Sequence, residues 1–296
     1  MTTATRVEQA LIEGRFASGV FAGLHGDKAA VRKAKALYAN LRRQLGYAGG
    51  AAMLTNGASQ QKLSKNDTAS YGLMLTPERG LMRPALADVR DVFGLTGAWN
   101  LCPLASKGCA AACLVFSGQS GMPQAQRAQA VRTAFMLGYP EAAGLLIGDE
   151  IRRATDRHGK INLRLNTTSD IRWEVISQGM VYALEDAGVV LYDYTAWSPA
   201  DRKVSPSYSL TFSAKEPAHT PDDYLAAILS DGGTVAMPFT TARGEDLPAT
   251  WKGFRVIDGD KSDERYKDPA GVVVGLRAKG HMWKRDNSAG FIRQAN

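Results

Sequence analysis

The chain has 296 residues, of which 45% are hydrophobic and 22% charged, so its composition is that of an ordinary globular protein. It contains no apolar run of about eighteen residues or more and no hydrophobic N-terminal segment. This argues against membrane insertion and secretion and predicts a cytoplasmic protein. The formal net charge of +7 permits an anionic partner.

Residues 1 to about 50 read as two helices, the second of which ends at Gly46. This second helix carries an apolar face and a set of basic side chains: Lys28, Arg32, Lys33, Lys35, Arg42 and Arg43. The pattern predicts a basic helical appendage over residues 1–60, followed by an α/β domain over residues 61–296. The basic face either contacts nucleic acid or is only solvated, and the sequence leaves both readings open.

From Tyr71 onward, short apolar runs alternate with amphipathic segments. The apolar runs predict strands at 71–75, 97–101, 161–166, 189–194, 208–213, 234–239, 254–257 and 272–276. The amphipathic segments predict helices at about 123–137, 140–157, 173–187 and 221–230. Strand and helix repeated at this pace predict a parallel sheet or an α/β barrel.

All three cysteines of the chain lie within twelve residues, at Cys102, Cys109 and Cys113. A disulfide framework would leave one thiol over, so ligation of a metal ion or an iron–sulfur cluster explains the grouping better. The Ala-rich stretch from Gly108 predicts a helix start with Cys109 and Cys113 on one face. Lys107 and the helix N-terminus are expected to favour the thiolate form. Two alternatives stay open: zinc completed by a distant histidine or carboxylate, and three buried apolar side chains.

Parallel α/β folds place their chemistry at the carboxyl ends of the strands, and polar residues follow most of the predicted strands here. We expect a polar cavity at this edge that faces the cluster and binds a small-molecule cofactor or substrate. Its expected lining is Asn166, Ser169, Asp170, Tyr194 and Ser213. Ser169 or Asp170 alternatively caps the helix that follows.

Three aspartates follow a later strand, at Asp258, Asp260 and Asp263. We interpret them as turn residues rather than as a divalent-cation site, because they are interleaved with Gly, Ser and basic residues.

A strand ending in a three-cysteine loop and followed by further β/α units resembles the partial barrel of the radical S-adenosylmethionine enzymes. The resemblance implies a partial (β/α) barrel of about six parallel strands, with Cys102, Cys109 and Cys113 holding a 4Fe-4S rather than a 3Fe-4S cluster. It also implies S-adenosylmethionine as a cofactor bound at the open iron. The cysteine spacing of six residues and then three differs from the usual three and then two.

Three stretches together resemble the phage gene product 88 family. They are the cysteine segment 102–113, the Arg164-Leu-Asn-Thr-Thr-Ser-Asp170 stretch and the Asp258-Gly-Asp-Lys-Ser-Asp-Glu-Arg265 stretch. The first functional hypothesis is therefore an iron–sulfur protein of phage type in the host cytoplasm, acting as a radical S-adenosylmethionine-like enzyme. The alternative is a basic nucleic-acid-binding phage protein whose cysteines form a structural zinc or cluster site.

Overall fold

The computed structural model describes residues 3–57, 66–278 and 287–295. Its centre is a nine-stranded sheet in the order β1-β2-β3-β4-β5-β6-β9-β8-β7. The strands are β1 (Thr55–Asn56), β2 (Ser70–Gly72), β3 (Ile161–Arg164), β4 (Val189–Thr195), β5 (Ser209–Ser213), β6 (Thr234–Phe239), β7 (Thr250–Trp251), β8 (Phe254–Asp258) and β9 (Val273–Arg277). All neighbours from β2 to β8 pair in parallel, and only the edge strands β1 and β7 pair antiparallel.

Eleven α-helices accompany the sheet within the described residues. They are α1 (Arg6–Glu13), α2 (Phe16–Leu24), α3 (Lys28–Gln44), α4 (Glu78–Leu81), α5 (Ala87–Val92), α6 (Lys107–Ala111), α7 (Pro123–Gly138), α8 (Pro140–His158), α9 (Trp173–Ile176), α10 (Gln178–Asp186) and α11 (Asp222–Ser230). Across the part of the chain that the structure describes, none of these helices has the length and apolar character that spanning a bilayer requires.

The predicted α/β class and the parallel sheet are confirmed, whereas a closed or radical S-adenosylmethionine-like barrel is not. Strands β2 to β6 follow one another in chain order, as they would in a barrel, but the sheet stays open. Its two edges are the short strands β1 and β7, which do not pair with each other. The domain boundary predicted at residue 60 lies outside the described residues.

Most predicted elements are confirmed within a few residues, and the strand predicted at 97–101 is wrong. Residues 95–100 are irregular, and Gly97 has a φ of +69°. The Arg6 guanidinium donates hydrogen bonds to the carbonyl oxygens of Thr96 and Ala98, at 2.9 and 3.0 Å. Backbone groups that a strand would pair are therefore bonded to a side chain from α1.

The N-terminal region holds three helices instead of the predicted two, and they pack into the main hydrophobic core. Glu8 of α1 forms a fully buried ion pair with Arg172, with 2.8 Å between Glu8 Oε2 and Arg172 Nη2. Phe16 of α2 lies against Trp173, with ring centroids 5.5 Å apart. The N-terminal helices therefore support the segment that follows β3.

Four glycines bring α2 and α8 into close contact: Gly19, Gly23, Gly144 and Gly148. A Cβ atom added at Gly148 would lie 2.3 Å from the carbonyl oxygen of Val20, and the other three glycines are equally close to backbone atoms. Backbone cannot give way as a flexible side chain can, so this helix pair requires residues without a Cβ.

The middle of the sheet has one polar face, and residues 263–268 cover it. Arg164 of β3 forms a buried ion pair with Asp263, with 2.7 Å between Nη1 and Oδ2. Asn162 donates to Glu264 at 2.9 Å, and the Arg164 guanidinium lies 4.8 Å from the centre of the Tyr194 ring. Residues 263–268 of the chain itself therefore occupy this face of the sheet.

Of the three aspartates at the end of β8 and after it, Asp258 and Asp260 lie in the predicted turn, while Asp263 is in a buried ion pair that was not predicted. Asp258 Oδ1 accepts from the Asp260 backbone N–H at 3.0 Å and from Arg277 at 2.9 Å. Asp263 pairs instead with Arg164. No group of acidic, cysteine or histidine side chains in the described ranges is arranged to hold a cation here.

Replacing Gly148 with Ala should lower the free energy of unfolding by about 1–3 kcal/mol, despite the better helix propensity of Ala, because α2 and α8 must move apart. Gly179→Ala is the matched control. It is also a helical position, but its added Cβ would meet nothing closer than 3.8 Å. Urea or thermal unfolding followed by circular dichroism measures both, and equal stability of the two variants would contradict the packing account.

Candidate metal centre at the cysteine loop

The cysteine loop, residues 101–113, is stabilised by hydrogen bonds between residues two or three positions apart in the sequence. The Asn100 side chain accepts from the Cys102 backbone N–H at 2.9 Å. Ser106 is the N-cap of α6, where its hydroxyl accepts from the Cys109 N–H at 3.2 Å. The helix ends at Ala111, so Cys113 lies beyond it, before a 3-10 turn. The predicted helix start is confirmed, but Cys109 and Cys113 do not share one helix.

The cysteine loop lies across the carboxyl ends of β3 and β5. After β3, the Asp170 N–H donates to the Leu101 carbonyl at 2.8 Å, and Cys102 Sγ lies 3.8 Å from the Thr168 carbonyl oxygen. After β5, Glu216 accepts from the Gly108 N–H at 2.6 Å. The cysteines are therefore at the sheet edge where the parallel architecture predicts chemistry.

All three thiols have raised pKa values, and each is within electrostatic reach of another. Burial raises the pKa of Cys102 well above its ordinary value, and the charges of Asp170 and the other two cysteines raise it further. Burial, then Cys113, Glu216 and Asp170, raise the pKa of Cys109 to about 11. Burial also raises that of Cys113. The expectation that the thiolate form is favoured is wrong, because burial raises the pKa of all three thiols.

The three thiols are neighbours, but the described residues contain no group of three or more His, Cys, Asp or Glu side chains placed to hold a metal ion. The donor set nevertheless fits an iron–sulfur cluster. Three sulfurs come from one loop, and a bound cationic iron would offset the mutual repulsion that raises their pKa values. The three cysteines are therefore the right type of ligand for an iron–sulfur cluster, but their sulfur atoms would have to move closer together when the cluster binds.

Asn166 and Ser169, both expected to line the cavity, are buried in internal hydrogen bonds. Asn166 Oδ1 accepts from the Ser169 hydroxyl, the Ile171 N–H and the Trp173 indole at 2.9, 2.9 and 3.2 Å. Its Nδ2 donates to the Ile171 carbonyl at 2.8 Å. Asn166 therefore fixes the turn that follows β3, close to Cys102.

Asp170 is bonded through both of its carboxylate oxygens. One accepts from the Thr195 hydroxyl and the other from the Ala196 N–H, each at 2.8 Å. Helix α9 begins at Trp173 with Arg172 as its N-cap and no side-chain cap, so the capping interpretation of Ser169 or Asp170 is wrong. Asp170 instead joins the ends of β3 and β4 beneath the cysteine loop.

Tyr194 and Ser213 lie apart from this group. Tyr194 is on the polar face of the sheet, beside Arg164, where the charge of Asp263 acts on its hydroxyl. Ser213 ends β5 and is half-buried, paired in register with Ala236 of β6. The structure brings Asn166, Ser169 and Asp170 to the cysteine loop and places Tyr194 against residues 263–268. A role for these five residues in cofactor binding stays a prediction.

Two arginines near the site were not predicted. The charge of Arg79, on α4, acts on Cys113 and partly offsets the rise of its pKa. Arg202 is buried, donates to Glu174 at 2.6 Å and lies 3.9 Å from Asp170. Both are distant from the cysteines in sequence, and neither lies in a recognisable motif.

The comparison with protein families gives one match: the gene product 88 family, over residues 52–295. No curated protein and no solved structure matches the chain. The matched region contains the whole sheet and all three cysteines, while α1 to α3 lie before it. The chain belongs to the phage gene product 88 family.

Proposed function

We propose that the protein binds an iron–sulfur cluster through Cys102, Cys109 and Cys113 and is an enzyme that uses this cluster. The observation that carries the proposal is the position of the three thiols. One short loop holds them in mutual electrostatic reach across the carboxyl ends of β3 and β5. That edge is where parallel α/β enzymes hold their cofactors.

Three thiols suit a cluster better than zinc. A structural zinc site takes four protein ligands, whereas three cysteines hold three irons of a 4Fe-4S cluster and leave the fourth open. Of the histidines in the described ranges, His219 is near the cysteine loop, but its Nδ1 atom faces Glu216 at 3.8 Å. The donor set therefore favours the cluster over zinc.

When bound, the cluster supplies one-electron transfer or, at its open iron, Lewis-acid chemistry. The residues of this chain would control its surroundings. The Lys215 ammonium donates to the Leu104 carbonyl at 3.3 Å and places a positive charge near Cys109. The negative charges of Asp170 and Glu216 act on the same thiol. The three cysteines are half-buried, so water reaches them only in part.

S-adenosylmethionine enters the proposal as the small-molecule cofactor on the family resemblance. The side-chain oxygens of Asn166 and Asp170 already accept hydrogen bonds from other groups of the chain. The proposal therefore does not assign either residue a direct contact with S-adenosylmethionine. Its binding has a spectroscopic test, because a molecule that binds the open iron changes the spectrum of the reduced cluster.

Anaerobically purified protein should contain about four irons and four sulfides per chain, and Cys109→Ser should lose most of both, together with the brown colour. Ser117→Ala is the matched control. Its hydroxyl only bonds the Leu114 carbonyl beyond the loop, so its iron content should match the wild type. Unchanged iron and sulfide in Cys109→Ser, or one zinc without sulfide in the wild type, would refute cluster binding.

A second candidate function, binding of nucleic acid by α3, is favoured by four exposed basic side chains. Lys28, Arg32, Lys33 and Arg43 have no carboxylate within ion-pair distance among the described residues. The other two basic residues of the helix are engaged: Lys35 pairs with Asp149 at 3.0 Å, and Arg42 lies over Tyr38 and Tyr47. The basic face is therefore narrower than the sequence suggests.

Replacing both Arg32 and Lys33 with Gln should weaken binding to a labelled duplex oligonucleotide and lower the slope of log affinity against log salt by about two, because two phosphate contacts are lost. Lys35→Gln is the control, since Lys35 already pairs with Asp149. Fluorescence anisotropy at several salt concentrations measures both. Undetectable or salt-independent binding of the wild type would remove this function.

A further inference from the structure

Glu216 follows β5 and contacts the cysteine loop directly, although its side chain is only 3% exposed. Its Oε1 atom accepts from the Gly108 N–H at 2.6 Å, and the Ser106 hydroxyl also bonds this carboxylate. The Ser106 oxygen in turn accepts from the Cys109 N–H at 3.2 Å. The Glu216 carboxylate is thus linked to Cys109 in two ways: through Gly108, which precedes Cys109, and through Ser106, the N-cap of α6.

The space around Gly108 is closed on two sides, by Glu216 and by Phe291 of the C-terminal segment. A Cβ atom at position 108 would lie 2.5 Å from Glu216 Oε1 and 2.6 Å from the Phe291 Cβ. Glycine is therefore required for the approach of the carboxylate. A carboxylate placed this close fixes where the loop can lie.

The second carboxylate oxygen is buried and has no hydrogen-bond donor in the described part of the chain. The His219 Nδ1 atom is 3.8 Å away, beyond hydrogen-bond distance. Burial raises the pKa of Glu216, but hydrogen bonds from Ser106 and from the Glu216 and Gly108 backbone, with the charge of His219, lower it overall. A buried charge that is only partly bonded costs stability. A glutamine side chain at this position could accept the same hydrogen bond from Gly108 without burying a charge. The presence of a carboxylate therefore suggests that its negative charge has a role.

We propose that Glu216 is a positioning residue of the cysteine site, which holds residues 106–109 at the end of β5 and places a buried negative charge beside Cys109. The positioning role is supported by the hydrogen bonds of Glu216 and Ser106 alone. The electrostatic half rests on the proposed function, because a negative charge beside a cluster disfavours the added electron and lowers its reduction potential. The positive charge of Lys215 also acts on Cys109, in the opposite sense.

Glu216→Gln separates the charge from the hydrogen bond. The amide oxygen still accepts from Gly108, so the iron content should match the wild type, while the reduction potential should shift to a more positive value. Glu150→Gln is the matched control, because Glu150, on α8, is a carboxylate that accepts from the backbone N–H groups of Met53 and Leu54 instead. Potentials are read from titrations followed by electron paramagnetic resonance. Equal potentials in the wild type and Glu216→Gln would overturn the electrostatic role.

Glu216→Ala removes both contacts and tests the positioning role without any cluster. In metal-free protein, the rate of Cys109 alkylation by iodoacetamide, read by peptide mass spectrometry, should rise about tenfold, the size expected when a charged hydrogen bond is lost from a locally opening segment. Glu216→Gln loses the same charge, which by itself lowers the pKa of Cys109 and raises its reactivity, so the tenfold rise is measured against Glu216→Gln, and circular dichroism checks that each variant folds. Equal rates in Glu216→Ala and Glu216→Gln would overturn the positioning role. An iron-free wild type would refute the proposed function and the electrostatic half, and the alkylation ratio would still decide the positioning half.

Discussion

Two hydrogen bonds from backbone N–H groups fix the position of the cysteine loop: Asp170 to the Leu101 carbonyl and Gly108 to the Glu216 carboxylate. One joins the loop to the end of β3 and the other to the end of β5. The three thiols are held together because the loop is fixed at two points over one edge of a parallel sheet. Glu216 makes its attachment with the carboxylate whose charge also acts on Cys109, whereas Asp170 makes the other attachment with its backbone N–H and bonds Thr195 and Ala196 with its carboxylate.

The residues beneath the loop form a buried polar network in which nearly every group is bonded. Asn166 holds the turn after β3, and Asp170 joins that turn to β4. The fully buried pair of Arg172 with Glu8 extends the network to α1, which lies outside the family match. Removing one partner of such a pair leaves a buried charge uncompensated, which typically costs about 3–5 kcal/mol. The N-terminal helices thus contribute to the rigidity of a site to which they supply no cysteine.

Local patterns in the sequence predict the parallel sheet well. The β-branched runs of β4, β6 and β9 are readable because strands buried on both faces need them. The strand prediction at 97–101 is wrong because the Arg6 side chain, 90 and 92 residues away in sequence, bonds the backbone carbonyls of Thr96 and Ala98. The local pattern of apolar and polar residues carries no information about a contact between residues so distant in sequence. The same holds for the Arg164–Asp263 pair, which covers the face of the sheet that the barrel prediction leaves open. Polar residues at strand ends mark the sheet edge on which the cysteine loop lies. Their hydrogen-bond partners are distant in sequence and are brought together only by the fold.

The most direct test of the central claim is Mössbauer spectroscopy of anaerobically prepared, ⁵⁷Fe-labelled protein, with and without S-adenosylmethionine. The account predicts the spectrum of a 4Fe-4S cluster in which one iron differs from the three held by Cys102, Cys109 and Cys113, and in which only that iron responds to the added molecule. A protein that takes up no iron, or whose iron is unaffected by loss of any of the three cysteines, would contradict it.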